Sequence, residues 1–165
     1  MNTGQSLLSI VALLLLSLTV LRVNNGILTS DSVMMDSKFG VLATSLATSL
    51  IEKASKKAFD ANSAEDAVSN LSQLTAPIGL GHSSSENPPD SCNDFDDFNG
   101  YTENITNLPS AEFDLSCEVK YVNPNNLDGV SNTATWHKRM TVTVTSPSSA
   151  DTIRLSTVYS YWYFR

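Results

Sequence analysis

Basic side chains are scarce across the middle of this chain. No Lys or Arg lies between Lys57 and Lys120, although that stretch carries 12 acidic residues, and the formal net charge of the chain is −7. A surface of this sign repels phosphate backbones and anionic lipid headgroups. The charge distribution therefore argues against a nucleic-acid-binding protein.

Recognisable catalytic motifs are also missing. The sequence contains no G-x-S-x-G, H-E-x-x-H, Walker or dinucleotide-binding pattern. Its two histidines lie apart, His82 in a Gly-Ser loop and His137 beside Lys138 and Arg139. An exported hydrolase would lack a recognisable nucleophile and base, so the sequence predicts a protein that is not an enzyme.

Cysteine occurs only twice, at Cys92 and Cys117. In a domain outside the cytoplasm, such an even pair flanking a loop-rich stretch predicts a disulfide. The alternative is a pair of buried thiols.

One long apolar run stands at the start of the sequence, from Leu7 to Leu21. With Ser6, the apolar or small residues between Gln5 and Arg22 number 16, and at 1.5 Å per residue they cover about 24 Å, slightly less than a hydrocarbon core of about 30 Å. A cleaved signal peptide would need a basic residue before the run and a small-residue cleavage pattern after it. Met1 to Gln5 has no basic residue, and no A-x-A pattern follows Arg22. Residues 1–25 are therefore predicted to form a retained membrane anchor, with the long C-terminal part exported.

Residues 26–165 are predicted to form a single domain that begins with a helix over residues 26–60. Asn24-Asn25-Gly26 is a weak helix breaker, which predicts a bend between the anchor and this second helix. Apolar residues then recur at helical spacing. They are Met35, Phe39, Leu42, Leu46, Leu50 and Ala54.

Two segments are expected between this helix and the strands: a short helix and then a loop region. A capping-box pattern at Ser63 predicts a short helix over residues 63–74. Residues 75–112 are rich in Pro, Gly, Ser, Asn and Asp, which indicates a loop region.

The last third shows the alternation of apolar and polar residues that is typical of strands. It does so over Phe113–Val122, Thr135–Thr145 and Thr152–Phe164, within residues 113–164. Short turn-rich links between them predict an antiparallel β-meander. Packed on the amphipathic helix, this sheet gives a two-layer α+β fold.

A cluster of hard oxygen ligands lies in the predicted loop. It comprises Asp90, Asn93, Asp94, Asp96, Asp97 and Asn99. Ca²⁺ takes six to eight oxygen ligands, so the cluster is a candidate calcium site, although its spacing is not that of an EF-hand. The alternative is a solvated loop in which Asp side chains cap local turns while Phe95, Phe98 and Tyr101 anchor it to the core.

The apolar N-terminal helix, the amphipathic continuation, the disulfide-compatible loop and the terminal meander together resemble type IV pilin-like proteins, including minor pilins and type II secretion pseudopilins. Two motifs add to the resemblance. The stretch Asp94-Phe-Asp-Asp-Phe-Asn-Gly-Tyr101 is similar to an acidic-aromatic loop of some minor pilin-like proteins, and Lys138-Arg-Met-Thr-Val-Thr-Val-Thr145 is similar to their penultimate strand.

The resemblance implies a subunit of the bacterial inner membrane that assembles with itself or with other pilin-like subunits. Assembly would use the apolar helix through Leu7, Leu8, Ile10, Val11, Leu14, Leu15, Leu18 and Leu21. Prepilin-type cleavage would fall between Gly4 and Gln5. The family's glutamate at mature position five is replaced by Ser9 after such a cleavage, or by Gln5 if Met1 is the mature start. The rival interpretation is a membrane-tethered binding domain that does not polymerise.

Overall fold

A computed structural model describes residues 2–83, 88–109 and 111–164. Residues 84–87 and 110 of the predicted loop region lie outside the described residues. The chain divides into two compact units, Met1–Phe39 and Gly40–Arg165. The fold is α+β, as predicted, with a long N-terminal helix packed on a small antiparallel sheet.

The N-terminal helix, α1, runs without interruption over Thr3–Ser55. Asn24-Asn25-Gly26 therefore does not end a helix, and the predicted division into two helices at that point is wrong. Asparagine and glycine each cost a helix only about 1 kcal/mol or less relative to alanine, and the long helical stretches on both sides outweigh that cost. Thr29 also donates its hydroxyl to the carbonyl of Asn25 at 2.9 Å, which gives that oxygen a second partner. Lys53 lies in the last turn, where a cation opposes the helix dipole.

In the second unit, α1 turns its small residues toward the protein interior. Ala43, Ala47, Leu50 and Ala54 are buried, whereas Leu42 and Leu46 are only half-buried. Of the predicted apolar face, Phe39, Leu50 and Ala54 are buried as expected, and Met35 is exposed. Alanine permits a closer approach of helix to sheet than leucine does, because its side chain ends at Cβ.

The predicted helix over residues 63–74 does not form. Two short 3₁₀ turns take its place, Ala61–Ser63 and Leu71–Gln73. The helix cap is Asp60 rather than Ser63, since the Asp60 carboxylate accepts the N–H of Asn62 at 3.2 Å. The N–H of Val68 donates to the hydroxyl of Tyr161 at 2.7 Å, so it has a partner other than a helical carbonyl.

Five strands form the sheet: β1 Thr102–Ile105, β2 Phe113–Asn123, β3 Asn126–Val130, β4 His137–Ser146 and β5 Ser149–Ser160. Their order is β1-β2-β4-β5, with β3 paired to β2, and all the pairings are antiparallel. The three predicted strands correspond to β2, β4 and β5, which confirms the meander, although β5 ends at Ser160 and a 3₁₀ turn follows over Tyr161–Phe164. Strands β1 and β3 were not predicted.

Alternation along the strands determines which side chains enter the core. On β2 the inward residues are Phe113, Leu115, Cys117, Val119 and Tyr121. On β4 they are Lys138, Met140, Val142 and Val144. A lysine therefore occupies a core position in an otherwise apolar row, directly paired with Tyr121 on the neighbouring strand.

Candidate functional site

The first unit carries a long apolar surface that is exposed. All eight predicted assembly residues are exposed, by 48% at Val11 to 74% at Leu8. The exposed apolar surface also includes residues that the prediction did not name: Leu13, Leu16, Val20, Val23, Ile27, Leu28, Val33, Met34 and Met35. Because the helix continues past residue 24, this surface extends beyond the original run, and α1 is long and apolar enough to cross a membrane.

Polar side chains within the apolar run are satisfied by their own helix. Ser9, Ser17 and Thr19 donate their hydroxyls to the carbonyls four residues earlier, at 3.0, 2.9 and 2.8 Å. A hydroxyl bonded in this way leaves no free donor facing an apolar solvent. The Ser and Thr residues are thus compatible with lipid or with a neighbouring helix.

The predicted cleavage position lies at the start of α1. Gly4 and Gln5 are both in its first turn, and the N–H of Gln5 donates to the carbonyl of Asn2 at 2.9 Å. Cleavage between Gly4 and Gln5 stays a prediction.

The acidic loop is organised by its own backbone. Asp94 Oδ1 accepts the N–H groups of Asp96 at 2.9 Å and Asp97 at 3.1 Å. Asp97 Oδ2 in turn accepts those of Asn93 at 2.8 Å and Asp94 at 3.2 Å. These reciprocal bonds fold the loop onto itself and lead into a 3₁₀ turn over Asp96–Phe98.

The aromatic anchors of this loop are where the sequence predicts them, but the carboxylates are not. Phe95, Phe98 and Tyr101 are buried, as expected. Asp94, Asp96 and Asp97 are also buried, so the expectation that the acidic side chains face solvent is wrong for these three. Their hydrogen bonds explain how buried carboxylates are tolerated there.

The side chains of the other three candidate calcium ligands are not buried with these carboxylates. Asp90 is exposed and pairs with Lys53 at 3.3 Å, and Asn93 is exposed. Asn99 joins two segments, since its side chain donates to the carbonyl of Leu80 at 3.0 Å and accepts the N–H of Val119 at 2.9 Å. Within the described ranges, no group of three or more His, Cys, Asp or Glu residues is arranged to hold a metal ion. Calcium binding at this loop stays a prediction.

Lys138 is the buried cation that Asp96 of the acidic loop contacts. Its side chain is fully buried, and Nζ donates to Asp60 Oδ2 at 2.9 Å, to Asp96 Oδ1 at 2.5 Å and to the carbonyl oxygen of Phe59 at 2.7 Å. Nζ also lies 4.5 Å from the centroid of the Phe59 ring and 5.2 Å from that of Tyr121. We call Lys138, Asp60 and Asp96 the buried triad.

The buried triad joins parts of the chain that are distant in sequence. Asp60 follows the C-terminus of α1, Asp96 lies in the acidic loop and Lys138 lies on β4. The acidic loop also meets the segment after α1 directly, because the N–H of Phe95 donates to the carbonyl of Ala58 at 2.9 Å. The triad therefore fixes the loop and the end of the helix against the sheet.

Burial and charge act in opposite directions on these acids. Burial raises the pKa of Asp60, but the ion pair with Lys138 and the hydrogen bonds to its carboxylate outweigh burial and leave that pKa below its usual 3.8. For Asp96, burial outweighs the attraction of Lys138 and raises the pKa. Burial, then repulsion from Asp96 and Asp97, raises the pKa of Asp94 to about 8. The raised pKa of Asp94 disfavours a further negative charge beside a single lysine.

The cysteines are both buried, and the structure carries them as thiols rather than as the predicted disulfide. Burial, with nearby Glu118 and Cys92, raises the pKa of the Cys117 thiol to about 12. Such a thiol is almost entirely protonated at neutral pH and reacts slowly with alkylating reagents. The disulfide stays a prediction.

An alkylation experiment on the native protein tests it. We expect both cysteines to resist iodoacetamide in the folded protein because they are buried. After denaturation without reductant they should still resist, because the bond occupies both sulfur atoms, and labelling should appear only after reduction. Full labelling in the denatured, unreduced protein would show that the bond is absent.

No family model, curated protein or solved structure matches this chain.

Proposed function

We propose that the protein is a non-enzymatic, membrane-inserted pilin-like subunit, a minor pilin or a pseudopilin, that assembles through its N-terminal helix into a type IV pilus or a type II secretion-like filament. The observation that carries the proposal is the apolar surface of α1 from Leu7 to Met35, which is exposed in the isolated chain. In water, contiguous apolar patches of this extent are rare and mark surfaces that are covered by lipid or protein.

Continuity of α1 supports assembly in addition to anchoring. One helix supplies both the exposed apolar surface and the buried alanine face beneath the sheet. An anchor alone needs only about 20 apolar residues. The exposed apolar side chains of α1 continue past that length, to Met35, and leave surface for contact with neighbouring helices.

The proposed location is the bacterial inner membrane, with a single span and the C-terminal unit outside the cytoplasm. Long domains are translocated largely regardless of their charge, so the acidic second unit is compatible with export. In the assembled state, the proposed partners of α1 are copies of the same chain or other pilin-like subunits, together with membrane lipid.

Cysteine crosslinking in native membranes tests assembly. For Leu14→Cys or Leu18→Cys, we expect a mild oxidant to yield disulfide-linked dimers, because the proposed filament brings neighbouring helices into contact. The matched control is Ile78→Cys, since Ile78 is 99% exposed but lies in the second unit. The unmodified chain gives the background, because its own cysteines are buried.

The outcome separates the proposal from a tethered domain that remains monomeric. Dimers for the two helix variants but not for Ile78→Cys support assembly through α1. Equal yields at all three positions, or no dimers above background, would contradict it. Electron microscopy of sheared surface material, probed for this chain, would then show whether the assembled form is a filament.

A groove on the outer face of the sheet favours the second candidate, a membrane-tethered binding domain. It has a volume of about 600 Å³, and its lining includes Arg139, Arg154, Thr141, Thr143 and Ser156. Hydroxyl and guanidinium groups of this kind bind polar or anionic ligands. This candidate predicts ligand binding without crosslinking between helices.

A further inference from the structure

The buried triad brings an amine and a carboxyl group together under conditions that favour covalent bond formation. Lys138 Nζ lies 2.9 Å from Asp60 Oδ2, which places it next to the carboxyl carbon, Cγ. Both side chains have no solvent exposure. Groups held in contact in this way react with effective concentrations far above those of free molecules, of the order of 10⁵ M or more when well oriented.

The oxygens of Asp60 face several hydrogen-bond donors besides the lysine. Oδ2 accepts the N–H of Thr75 at 2.9 Å, and the Tyr121 hydroxyl, which donates to the Thr75 carbonyl at 2.8 Å, lies 3.4 Å from the same oxygen. Oδ1 accepts the N–H of Asn62 at 3.2 Å and the hydroxyl of Thr75 at 3.1 Å. Attack at Cγ would place negative charge on these oxygens, and donors already in position stabilise such charge.

Asp96 is placed to carry protons. Its Oδ1 accepts from the same Nζ at 2.5 Å, and its side chain is almost fully buried. An ammonium group must lose a proton before its nitrogen can attack, and the Asp96 carboxylate is in direct contact with that nitrogen. Asp96 thus has the position of a proton relay, with Asp60 as the group that is attacked.

We propose that Lys138 and Asp60 condense to an intramolecular amide, an isopeptide bond, inside the folded second unit. Asp96 takes a proton from the Lys138 ammonium, and the neutral amine attacks Cγ of Asp60 and forms the N–C bond. One C–O bond of the carboxyl group then breaks. Its oxygen leaves as water with two protons from the original ammonium, one of them returned by Asp96. Ammonium and carboxylate thus become amide and water, and no oxidant or further reactant is needed.

Burial favours the product over the ion pair. Keeping two charges away from water is costly, and the amide removes both charges from the core. The surrounding rings of Phe59 and Tyr121 exclude water from the site, which disfavours the reverse hydrolysis. The bond would link the end of α1 to β4 independently of the predicted disulfide.

Peptide mapping of the full chain, purified in detergent, tests the proposal. Trypsin cleaves after Lys57, Lys120 and Arg139, and a Glu-specific protease cleaves after Glu65, Glu86 and Glu103. We expect the fragment 58–65 joined to the fragment 121–139, at a mass one water molecule below their sum, with no cleavage after Lys138. After reduction, which removes any link through Cys92, the fragment 87–103, which contains Asp96, should be recovered unlinked.

Other results would overturn the proposal. Complete cleavage after Lys138 would show an ionic contact only, and fragment 121–139 joined to 87–103 would show that Asp60 is not the acceptor.

For Asp96→Asn, which keeps the size of the side chain, we expect at least a tenfold loss of linked peptide at equal incubation time. Unchanged linkage in that variant would refute the relay. Lys120→Arg is the matched control and should leave linkage unchanged, because Lys120 pairs with Glu118 at the surface. The wild-type map decides the main question even if a variant fails to fold.

Discussion

Lys138→Ala is expected to lower the free energy of unfolding by about 3–5 kcal/mol, because it leaves Asp60 and Asp96 buried without their cation. The same direction is expected whether Lys138 is ion-paired with Asp60 or bonded to it. Urea unfolding of the full chain in detergent, followed by Trp fluorescence, measures the change. Trp136 is a suitable reporter because it packs against Tyr161, a member of the buried core.

Lys120→Ala is the control for that experiment. Lys120 pairs with Glu118, but both side chains are about half exposed. Exposed pairs contribute about 1 kcal/mol or less, so this variant should unfold almost as the wild type does. If Lys138→Ala lowers the free energy of unfolding no more than Lys120→Ala does, the buried triad does not stabilise the protein in the way that its geometry indicates.

Leu14→Arg is expected to reduce membrane insertion strongly. Leu14 lies at the centre of the apolar run, is 59% exposed and belongs to a helix long enough to span a bilayer. An arginine at the centre of a membrane helix costs about 3 kcal/mol on the insertion scale, which corresponds to roughly a 100-fold change in the insertion equilibrium. Carbonate extraction of membranes should move the variant from the pellet to the soluble or degraded fraction.

Ile78→Arg is the matched control, since it replaces an even more exposed apolar residue in the second unit. It should fractionate as the wild type does, because Ile78 lies in a short 3₁₀ turn and outside the apolar helix. Equal retention of Leu14→Arg and wild type in the membrane pellet would contradict insertion through this run.

The elements with a strong period could be predicted from the sequence. The apolar run gave α1, and alternation gave β2, β4 and β5. Strand β3 contains Asn126, Asp128 and Gly129, residue types that are usual in turns. Its pairing with β2 stabilises an extended conformation that these residues do not favour on their own. Residues 1–25 and 26–60 are predicted as two helical segments of the long N-terminal helix, and α1 runs through their boundary because Asn and Gly weaken a helix without ending it.

The buried triad was missed because its members lie far apart in the sequence. Lys138 is 78 residues from Asp60 and 42 from Asp96. One local signal was present, since Lys138 is in phase with the inward residues Met140, Val142 and Val144. A charged residue in phase with an apolar row requires a buried partner, and the acidic loop contained the only dense group of carboxylates.

The contacts of Tyr161 have a consequence for biogenesis. Its hydroxyl accepts the N–H of Val68 across 93 residues of chain, and its ring packs on Phe59. The segment that follows α1 therefore cannot complete its packing until the last strand has been synthesised. If the proposed export takes place, the second unit would cross the membrane as an extended polypeptide and complete its fold only after Tyr161 emerges.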